Sequence, residues 1–466
     1  MELKDYQLKG VEFLTKNKSA ILADDVGLGK TVQTIKAIEK LNLNKILIIC
    51  PKSIKKQWRE EIKKWSPSLS SSTIVIEGDR KKREMLWQTP SKIKIMNYEL
   101  LRMEDFKFIY KDWWDLIVCD EITRIKNFRA KTTRLLWKLR DRAKYRWGLT
   151  GTPIENYPVE LYNIFRFINP FVFGKWENFK FYFLITEMKN FYGKMVEKIV
   201  GYKNLELLKF KIAPYVLRRR RSEVLNDLPP IVVEERYVDL TPFQNKIYNI
   251  IKFHAEELIN KEMSALGDFN LARIVCDTPL ALKSSPTWVS SLDLGNDYNS
   301  EKFEELKFIL EESLVNNNQA VIFTEWYEVL VLIKKFLEEL GYKVSVFHGG
   351  LSEEERKREE EKFLNKQTQI IISTQAGGWG MNWQNANILI NFDTPLNPAK
   401  LYQRIGRVYR MGQQNKVVVF DLITKDSVEE RVREILNIKL NYIEEVFGNK
   451  EEKRIEIDNS LIRRLL

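Results

Sequence analysis

Short apolar runs alternate with amphipathic stretches along the first third of the chain. The apolar runs are residues 20–23, 45–50, 93–96 and 116–119, and the amphipathic stretches include residues 31–40 and 54–65. Apolar runs of this length, bounded by Gly, Pro or polar residues, are typical of buried strands, and strands that alternate with helices are typical of parallel sheets. The pattern therefore predicts an α/β fold.

Two longer stretches interrupt this alternation. Residues 157–212 are rich in aromatic side chains at helical spacing, and residues 250–300 begin helical before a Ser-, Pro-, Asn- and Asp-rich stretch at 284–300. We expect a helical insertion at the first and a helical and loop insertion at the second. An aromatic stripe more often forms core than a platform for stacked bases.

Composition and charge narrow the class of protein. The 466 residues suffice for about three domains of roughly 150 residues, or for two larger ones. The net charge of +12 favours a polyanionic partner. With three Cys and two His in the chain, we expect neither a disulfide framework nor a Cys/His metal site. The N-terminus has no apolar signal core, and no uncharged run approaches the ~18 residues of a membrane span, so a cytoplasmic protein without membrane association is expected.

A glycine-bearing turn follows the first apolar run. Residues 20–35 read AILADDVGLGKTVQTI, so the turn joins a buried strand to a helix. Gly27 and Gly29, on either side of Leu28, allow backbone N–H groups to approach a polyphosphate at the N-terminus of the helix. We interpret this turn as a phosphate cradle, and an ordinary strand-to-helix turn is the alternative.

The two residues after the turn carry the expected chemistry of the cradle. Lys30 would reach the β- and γ-phosphates, and the Thr31 hydroxyl would take one position on Mg²⁺. The general pattern G-x-x-x-x-G-K-S/T has glycine where this chain has Asp24, so only its second half is matched.

A pair of carboxylates follows the apolar run at 116–119. Asp120 and Glu121 would stand at the carboxyl end of a strand, where nucleotide sites of parallel sheets hold the metal and the attacking water. Asp120 would hold Mg²⁺, and Glu121 would orient and deprotonate the water. A surface Asp-Glu pair is the alternative.

Two further polar stretches are candidates for the same site. In the segment WGLTGTPIEN at 147–156, the hydroxyls of Thr150 and Thr152 flank Gly151 and could relay between the acidic pair and an adjacent domain. Near the N-terminus, the amide of Gln7 can pair with the edge of adenine, although a single Gln is more often a surface residue.

Late in the chain, three arginines recur every three residues. On a helix Arg404, Arg407 and Arg410 would share one flank, with Gln403 beside them. The guanidinium fork suits γ-phosphate oxygens, and we expect Arg407 and Arg410 to act on the nucleotide, with Arg410 at the γ-phosphate. A salt-bridged basic helix is the alternative.

These motifs, in this order, resemble one family. YQLKG, DDVGLGKT, CDEITRIKN and LTGTPIEN look like the first lobe of Swi/Snf-type ATPases of helicase superfamily two, and the resemblance continues from residue 213 to about 433. The longest match is ISTQAGGWGMNWQNANILINFDTPLNPAKLYQRIGRVYRMGQQ at 372–414.

The resemblance implies two RecA-like parallel-sheet lobes with helical insertions that close on one ATP. It implies a first lobe at 1–213 with an insertion at about 157–212, a linker at 214–232, a second lobe at 233–436 with an insertion at about 250–300, and a helical tail at 437–466. We expect a minimal motor without accessory domains. Four arginines at 218–221 in the linker would lock lobe orientation or touch phosphate, and the sequence does not choose between these roles.

The resemblance also implies an activity and its residues. It implies ATP and Mg²⁺ as cofactors, and DNA-stimulated ATP hydrolysis by a monomer that moves along double-stranded DNA and remodels or displaces bound proteins. The expected nucleotide-binding residues are Tyr6, Gln7, Asp24, Gly27, Leu28, Gly29, Lys30, Thr31, Gly380, Arg407 and Arg410. The expected coupling residues are Thr150, Gly151, Thr152 and Gln403. The expected DNA-binding residues are Lys52, Tyr98, Lys126, Asn127, His348, Gly349, Thr374 and Trp383.

The chain departs from the family pattern at three positions. Asp25 stands where Glu is usual, Thr123 where His closes the acidic box, and Tyr409 where His is common. We expect Thr123 and Tyr409 to affect the coupling between ATP state and nucleic acid more than hydrolysis itself. Two alternatives stay open: a strand-separating DNA or RNA helicase, and a DNA-binding scaffold that does not hydrolyse ATP. A bacterium, a phage or a virus is the expected source.

Overall fold

A computed structural model describes most of the chain. The described residues are 2–103, 109–191, 194–224, 229–261, 263–285, 288–298, 300–314, 318–374, 381–410 and 412–447. They divide into two compact units. The first contains the described residues within 1–186, 201–226 and 439–447, and the second contains those within 187–200 and 227–438.

Strands and helices alternate along both units, as the apolar pattern predicts. The strands are β1 Ser19–Leu22, β2 Ile46–Cys50, β3 Thr73–Val75, β4 Ile93–Asn97, β5 Trp114–Asp120, β6 Ala143–Leu149, β7 Leu184–Phe191, β8 Lys194–Tyr202, β9 Val216–Leu217, β10 Ile231–Val238, β11 Ala320–Thr324, β12 Val344–Phe347, β13 Ile370–Thr374, β14 Ile388–Asn391 and β15 Val417–Thr424. The helices are α1 Asp5–Lys16, α2 Lys30–Leu41, α3 Lys55–Trp65, α4 Pro67–Ser70, α5 Arg80–Gln88, α6 Lys131–Leu139, α7 Val159–Ile168, α8 Trp176–Phe183, α9 Leu205–Ile212, α10 Arg221–Val224, α11 Pro242–Asn260, α12 Leu266–Asp277, α13 Glu301–Ser313, α14 Tyr327–Glu339, α15 Glu353–Leu364, α16 Pro398–Val408 and α17 Val428–Phe447.

The first unit is built on a parallel sheet with strand order β3-β4-β2-β5-β6-β1-β9. Its central strands are apolar at successive positions because helices cover both faces. Along β2, Ile46 and Ile48 face one cluster of buried side chains, and Leu47 and Ile49 point to the opposite face, where they are equally buried.

The second unit repeats this design with strand order β10-β15-β14-β11-β13-β12, again parallel throughout. Alternate residues of β11 enter two different clusters, with Ile322 in one and Val321 and Phe323 in the other. The predicted fold class, α/β with two parallel-sheet lobes and helical insertions, is confirmed.

The insertion at 157–212 differs from the helical prediction in its middle. It contains α7, α8 and α9, but β7 and β8 form a separate two-stranded sheet between α8 and α9. The β-branched residues of this stretch, among them Thr186, Val196 and Val200, favour strand over helix.

The predicted linker at 214–232 contributes a strand to each sheet. β9 pairs with β1 in the first unit, and β10, which begins at Ile231, pairs with β15 in the second. The lobe boundaries proposed from the sequence stay a prediction.

Among the helices of the described residues, none combines the length and apolar character needed to cross a bilayer.

A fully buried ion cluster stabilises the second unit. Lys302, near the start of α13, donates through Nζ to Asp277 Oδ1 at 2.8 Å, to Glu429 Oε1 at 2.7 Å and to the Phe392 carbonyl at 2.9 Å. Burial opposes the charged ammonium, but the two carboxylates outweigh it and raise the pKa of Lys302 above its ordinary value. The cluster therefore connects α12, α13, α17 and the end of β14 through one cation.

We predict that Lys302→Met destabilises the second unit by about 3 to 5 kcal/mol, since it leaves two carboxylates buried without a cation. Urea unfolding of the variant would measure the loss. Lys334→Met is the control, because its exposed pair with Glu338 should contribute less than about 1 kcal/mol. Equal losses in the two variants would contradict the prediction.

Candidate nucleotide-binding site

The predicted phosphate cradle is a tight loop between β1 and α2. Gly27 and Gly29 have φ angles of 91° and 75°, in the left-handed region that glycine adopts at little cost. A Cβ at Gly29 would also approach the amide Nε2 of Gln7 to 2.6 Å. Glycine is therefore required at position 29 both for the turn and for the close packing of α1.

Lys30 opens α2 and folds back over this loop. Its Nζ donates to the carbonyls of Asp24 at 2.6 Å and Asp25 at 3.2 Å. Burial lowers the pKa of Lys30, and the carboxylates of Glu121, Asp24, Asp120 and Asp25 act in the opposite direction. The ammonium is thus placed among acidic groups from the cradle and from the end of β5.

The acidic pair lies at the carboxyl end of β5, with Asp120 held from three sides. Its Oδ2 accepts from the indole of Trp58 at 2.8 Å, its Oδ1 accepts from the backbone N–H of Glu121 at 3.0 Å, and its carbonyl accepts from the hydroxyl of Tyr98 at 2.8 Å. Burial raises the pKa of Asp120, while the Trp58 indole and Lys30 oppose that rise. The carboxylate therefore has one orientation relative to Lys30.

Glu121 has an unusual backbone. Its φ and ψ of 51° and 56° are left-handed, which is uncommon for a residue with a Cβ and costs of order 1 kcal/mol. The turn sends the chain away from β5 directly after Asp120. Strain of this kind collects at functional sites, where the surrounding packing maintains it.

A third strand end adjoins the first two, because β6 lies between β5 and β1 in the sheet. A Cβ at Gly151 would lie 2.7 Å from Val26 Cγ2 and 3.7 Å from Lys30 Nζ, so this segment closes against the cradle. Thr150 Oγ1 accepts from the Thr152 N–H at 3.0 Å and donates to the Thr152 carbonyl at 3.0 Å. The two threonines thus form a local turn beside the site, and their coupling role stays a prediction.

Two polar residues expected to bind nucleotide, Gln7 and Asp24, form hydrogen bonds with other residues of the protein. The Oε1 of Gln7 accepts from the N–H of Lys4 at 3.1 Å, and its Nε2 approaches the Leu28 carbonyl at 3.4 Å. Asp24 is fully buried, and its carboxylate binds Arg219 and Gln33. The expectation that Asp24 contacts nucleotide is therefore corrected for its side chain, because no part of it faces solvent.

The arginine motif in the second unit divides into different environments. Arg404 is buried and donates to Asn391 Oδ1, to the Asp393 carbonyl and to Asp393 Oδ1 at 2.9, 2.9 and 3.3 Å. Arg407 donates to the Met381 carbonyl at 3.3 Å. Helix α16 ends at Val408, so the expectation of three arginines on one helical flank is wrong: Arg410 lies beyond the helix.

Two other residues of the second unit were expected to act at the site. Gln403 is buried on α16, beside Arg404. Gly380, expected to contact nucleotide, lies outside the described residues.

The residues expected to contact DNA fall into two groups, one buried and one with exposed surface. Tyr98, Thr374 and Trp383 are 2%, 5% and 0% exposed, which corrects the prediction for these three. Tyr98 supports Asp120, and Trp383 packs in the core of the second unit. The residues that retain surface are Lys52, Lys126, Asn127, His348 and Gly349. Among them Lys126 forms an ion pair with Glu155.

The candidate metal ligands, Thr31 and Asp120, have the oxygen donors that Mg²⁺ prefers. The Thr31 hydroxyl and the Asp120 carboxylate are hard oxygen donors, and each oxygen of Asp120 keeps acceptor capacity beyond its one hydrogen bond. Within the described ranges no group of three His, Cys, Asp or Glu could hold a metal. Mg²⁺ in nucleotide sites needs only one or two protein ligands, because phosphate and water complete the shell.

Two residues that support the site carry no signal in the sequence. Trp58 looks there like part of a helical repeat, and Arg219 like one of four linker arginines. No local pattern marks the indole that meets Asp120, since the two residues are 62 positions apart.

Most of the chain matches two families of known domains. Residues 6–283 match the family described as the SNF2-related domain, and residues 301–412 match the helicase conserved C-terminal domain. An uncharacterized ATP-dependent helicase of Mycoplasma pneumoniae is 31% identical over 93% of this chain and 41% of its own length. A SWI/SNF chromatin-remodeling complex subunit of Schizosaccharomyces pombe is 30% identical over 94% of this chain and 28% of its own length. The chain thus spans less than half of these two relatives.

The chain is also similar to solved structures. The Sulfolobus solfataricus SWI2/SNF2 ATPase core in complex with dsDNA is 31% identical, with coverage of 96% of this chain and 93% of that chain and a TM-score of 0.45.

We predict that Trp58→Phe destabilises the first unit more than Trp147→Phe does. Both indoles are buried in one apolar cluster, so the loss of apolar surface is similar. The indole of Trp58 donates to a carboxylate, which is typically worth about 1.5 to 3 kcal/mol, whereas that of Trp147 donates to the Asn17 carbonyl, typically worth about 0.5 to 1.5 kcal/mol. Urea unfolding of both variants checks the order, and a reversed order would refute it.

Proposed function

The chain belongs to the SNF2-related domain family, and on that basis we propose that it is an ATP-dependent translocase on double-stranded DNA that remodels or displaces proteins bound there. Family membership also bears out the predicted class of enzyme, an ATP-hydrolysing, helicase-like protein. DNA dependence, translocation and the displaced proteins belong to the proposal.

One observation carries the proposal: the ammonium of Lys30 lies against the Asp24 and Asp25 carbonyls of the cradle, and the carboxylates of Glu121 and Asp120 at the β5 end act on it electrostatically. A lysine in a glycine-bearing loop, at the N-terminus of a helix and beside a strand-end acidic pair, combines the parts that hold a nucleoside triphosphate and its metal. In the proposed complex Lys30 exchanges the two loop carbonyls for phosphate oxygens.

The proposal assigns a role to each residue near the phosphates. Thr31 and Asp120 would hold Mg²⁺, which when bound neutralises charge that develops on the phosphate oxygens. Glu121 accepts a proton from the attacking water and orients it. The backbone N–H groups of Gly27 and Gly29 bind phosphate, and Tyr6 and Gln7 lie beside the loop where a base would be recognised.

The second unit would supply positive charge. We assign Arg407 and Arg410 to the γ-phosphate, where a guanidinium stabilises negative charge that forms as the phosphoryl group transfers. Arg404 supports this assignment, since its bonds to Asn391 and Asp393 hold α16 against the end of β14. Gln403 with the threonine turn at 150–152 would couple nucleotide state to DNA.

Double-stranded DNA is the proposed track. Its support is the net charge of +12 and the surface residues Lys52, Lys126, Asn127, His348 and Gly349. The Schizosaccharomyces pombe relative is a subunit of a chromatin-remodeling complex, and the DNA of chromatin is double-stranded. Contacts to the DNA backbone should dominate, so binding should weaken steeply with salt.

A monomer in the cytoplasm of a bacterium, or one encoded by a phage or a virus, completes the proposal. Its support is a relative from Mycoplasma and the three cysteines, which are free and buried as suits a reducing compartment.

We predict that duplex DNA stimulates ATP hydrolysis more than single-stranded DNA or RNA does. ATPase rates with the three nucleic acids at matched nucleotide concentration, followed by displacement of the third strand from a triplex, would test this. Stimulation by single strands or RNA alone would favour the alternative of a strand-separating helicase.

We predict that Glu121→Gln and Arg410→Ala both retain ATP binding and lose turnover. Loss of the group that deprotonates water should cost about 10² to 10⁴ in kcat, and loss of the arginine about 10³ to 10⁵. Equilibrium nucleotide binding and ATPase rates on each variant measure the two effects separately. Glu84→Gln is the control, because Glu84 pairs with Arg80 on the exposed helix α5. Full activity in either site variant would refute its assigned role, and no hydrolysis by the parent chain would favour a binding scaffold.

A further inference from the structure

The chain that leaves the first sheet runs beside the phosphate loop. β9 pairs with β1 in register Ile21 to Val216 and Leu22 to Leu217. The pairing continues past both strands, since the N–H of Ala23 donates to the Leu217 carbonyl at 2.7 Å and the N–H of Asp25 donates to the Arg219 carbonyl at 3.1 Å. The backbone of the phosphate loop therefore has a partner strand as far as Asp25.

All three nitrogens of the Arg219 guanidinium contact the phosphate loop or the helices α1 and α2 that pack against it. Its Nε donates to Asp24 Oδ1 at 2.9 Å, and its Nη2 binds Asp24 Oδ2 and donates to Gln33 Oε1 at 2.8 Å. Its Nη1 donates to the carbonyl of Tyr6, and the guanidinium lies 5.4 Å from the centre of the Tyr6 ring. One arginine thus joins the loop, α2 and α1.

Packing around this arginine leaves no room for a side chain at Gly10. A Cβ there would overlap the Gln33 amide and approach Arg219 Nη2 to 2.9 Å. The glycine of the YQLKG motif therefore permits α1 to lie against the Arg219 network. This explains a motif residue that nucleotide recognition alone does not require.

The four consecutive arginines separate into two sets. Arg219 and Arg221 face the loop: the backbone N–H of Arg221 donates to Asp25 Oδ2 at 3.0 Å, and its guanidinium Nε lies 3.9 Å from the same oxygen. Arg218 lies over the ring of Phe447, and Arg220 forms an ion pair with Glu444, both on α17. The structure thus distinguishes neighbours that are identical in sequence.

The charge on Asp24 makes its partner important for an anionic ligand. Asp24 is fully buried, and its carbonyl accepts from the ammonium of Lys30. Without Arg219, a buried carboxylate would lose its cation beside the place where phosphate enters, so it would repel the phosphate and attract Lys30. Lysine could restore the charge but not the fork that reaches Asp24, Gln33 and Tyr6 together.

We propose that Arg219 is a positioning residue for the nucleotide: by neutralising Asp24 and joining it to Gln33 and Tyr6, it keeps the phosphate loop and Lys30 available for a nucleoside di- or triphosphate. The inference rests on the proposed function of this loop. It gives the arginine run a role that the sequence left open.

Binding of fluorescent ADP and ATP analogues to the full chain, with Mg²⁺ and without DNA, tests the proposal. Arg219→Gln should weaken both affinities about 10- to 100-fold and raise KM for ATP by a similar factor, with kcat at saturating ATP changed less than fivefold. Arg220→Gln is the matched control, because its ion pair with Glu444 lies away from the loop, and it should bind within about twofold of the parent.

A second substitution separates positioning from general damage. Asp24→Asn in the Arg219→Gln chain removes the uncompensated charge, so it should recover most of the lost affinity, as coupled residues in one ion pair do. If Arg219→Gln does not fold, the double variant and Arg219→Lys carry the test, with near-parent affinity expected in the first and an intermediate loss in the second.

The outcomes separate the inference from the proposed function. Parent-like affinity in folded Arg219→Gln, or no recovery in the double variant, would overturn the role of Arg219 while the nucleotide site stands. Failure of the parent chain to bind either nucleotide would overturn the proposed function itself.

Discussion

Buried charges in the first unit must be compensated, and this requirement shapes its candidate site. Lys30, Asp24, Asp120 and Glu121 come from two strand ends, and like-signed neighbours would repel one another in a partly dry site. The structure meets the requirement with specific partners: an arginine for Asp24, an indole and a backbone N–H for Asp120, and loop carbonyls for the ammonium. Each partner fixes an orientation as well as a charge, so the same contacts that stabilise the unit prepare it to bind a polyanion.

The second unit also pairs its buried charges with specific partners. Arg404 and Lys302 are cations buried in its interior. Arg404 donates to the carbonyl and carboxylate of Asp393, and Lys302 donates to the Phe392 carbonyl and to carboxylates of α12 and α17. Phe392 and Asp393, which directly follow β14, accept from these two cations. Helices α13 and α16 are thereby held at the carboxyl end of β14, and α16 carries Arg407 and ends at Val408, shortly before Arg410.

The motif arginines show how a period in sequence can mislead. A spacing of three predicts one helical flank, yet α16 ends at Val408 and leaves Arg410 outside it, while Arg404 faces the core. The family resemblance implied Tyr98 and Trp383 as DNA-binding residues, but both are buried. A repeat of three residues places side chains on one flank only while the helix continues. Burial of an aromatic side chain stabilises the fold more than its exposure does.

Sequence alone was enough to predict the α/β class, the parallel strands, the loop that carries Lys30 and the acidic pair at the end of β5. These follow from short-range patterns: apolar runs, glycines in a turn, and the position of a residue relative to a strand end. The order of the motifs was also enough to identify the family. Tertiary contacts were needed to tell which of four adjacent arginines face the loop, that Trp58 holds Asp120, and that Gly10 lets α1 pack against Arg219. Trp58 and Asp120 are 62 positions apart, Asp24 and Arg219 are 195 positions apart, and the residues of each pair meet when the sheet assembles. Local patterns carry no information about them, since the partner of a buried charge is chosen by packing and not by its neighbours in the chain.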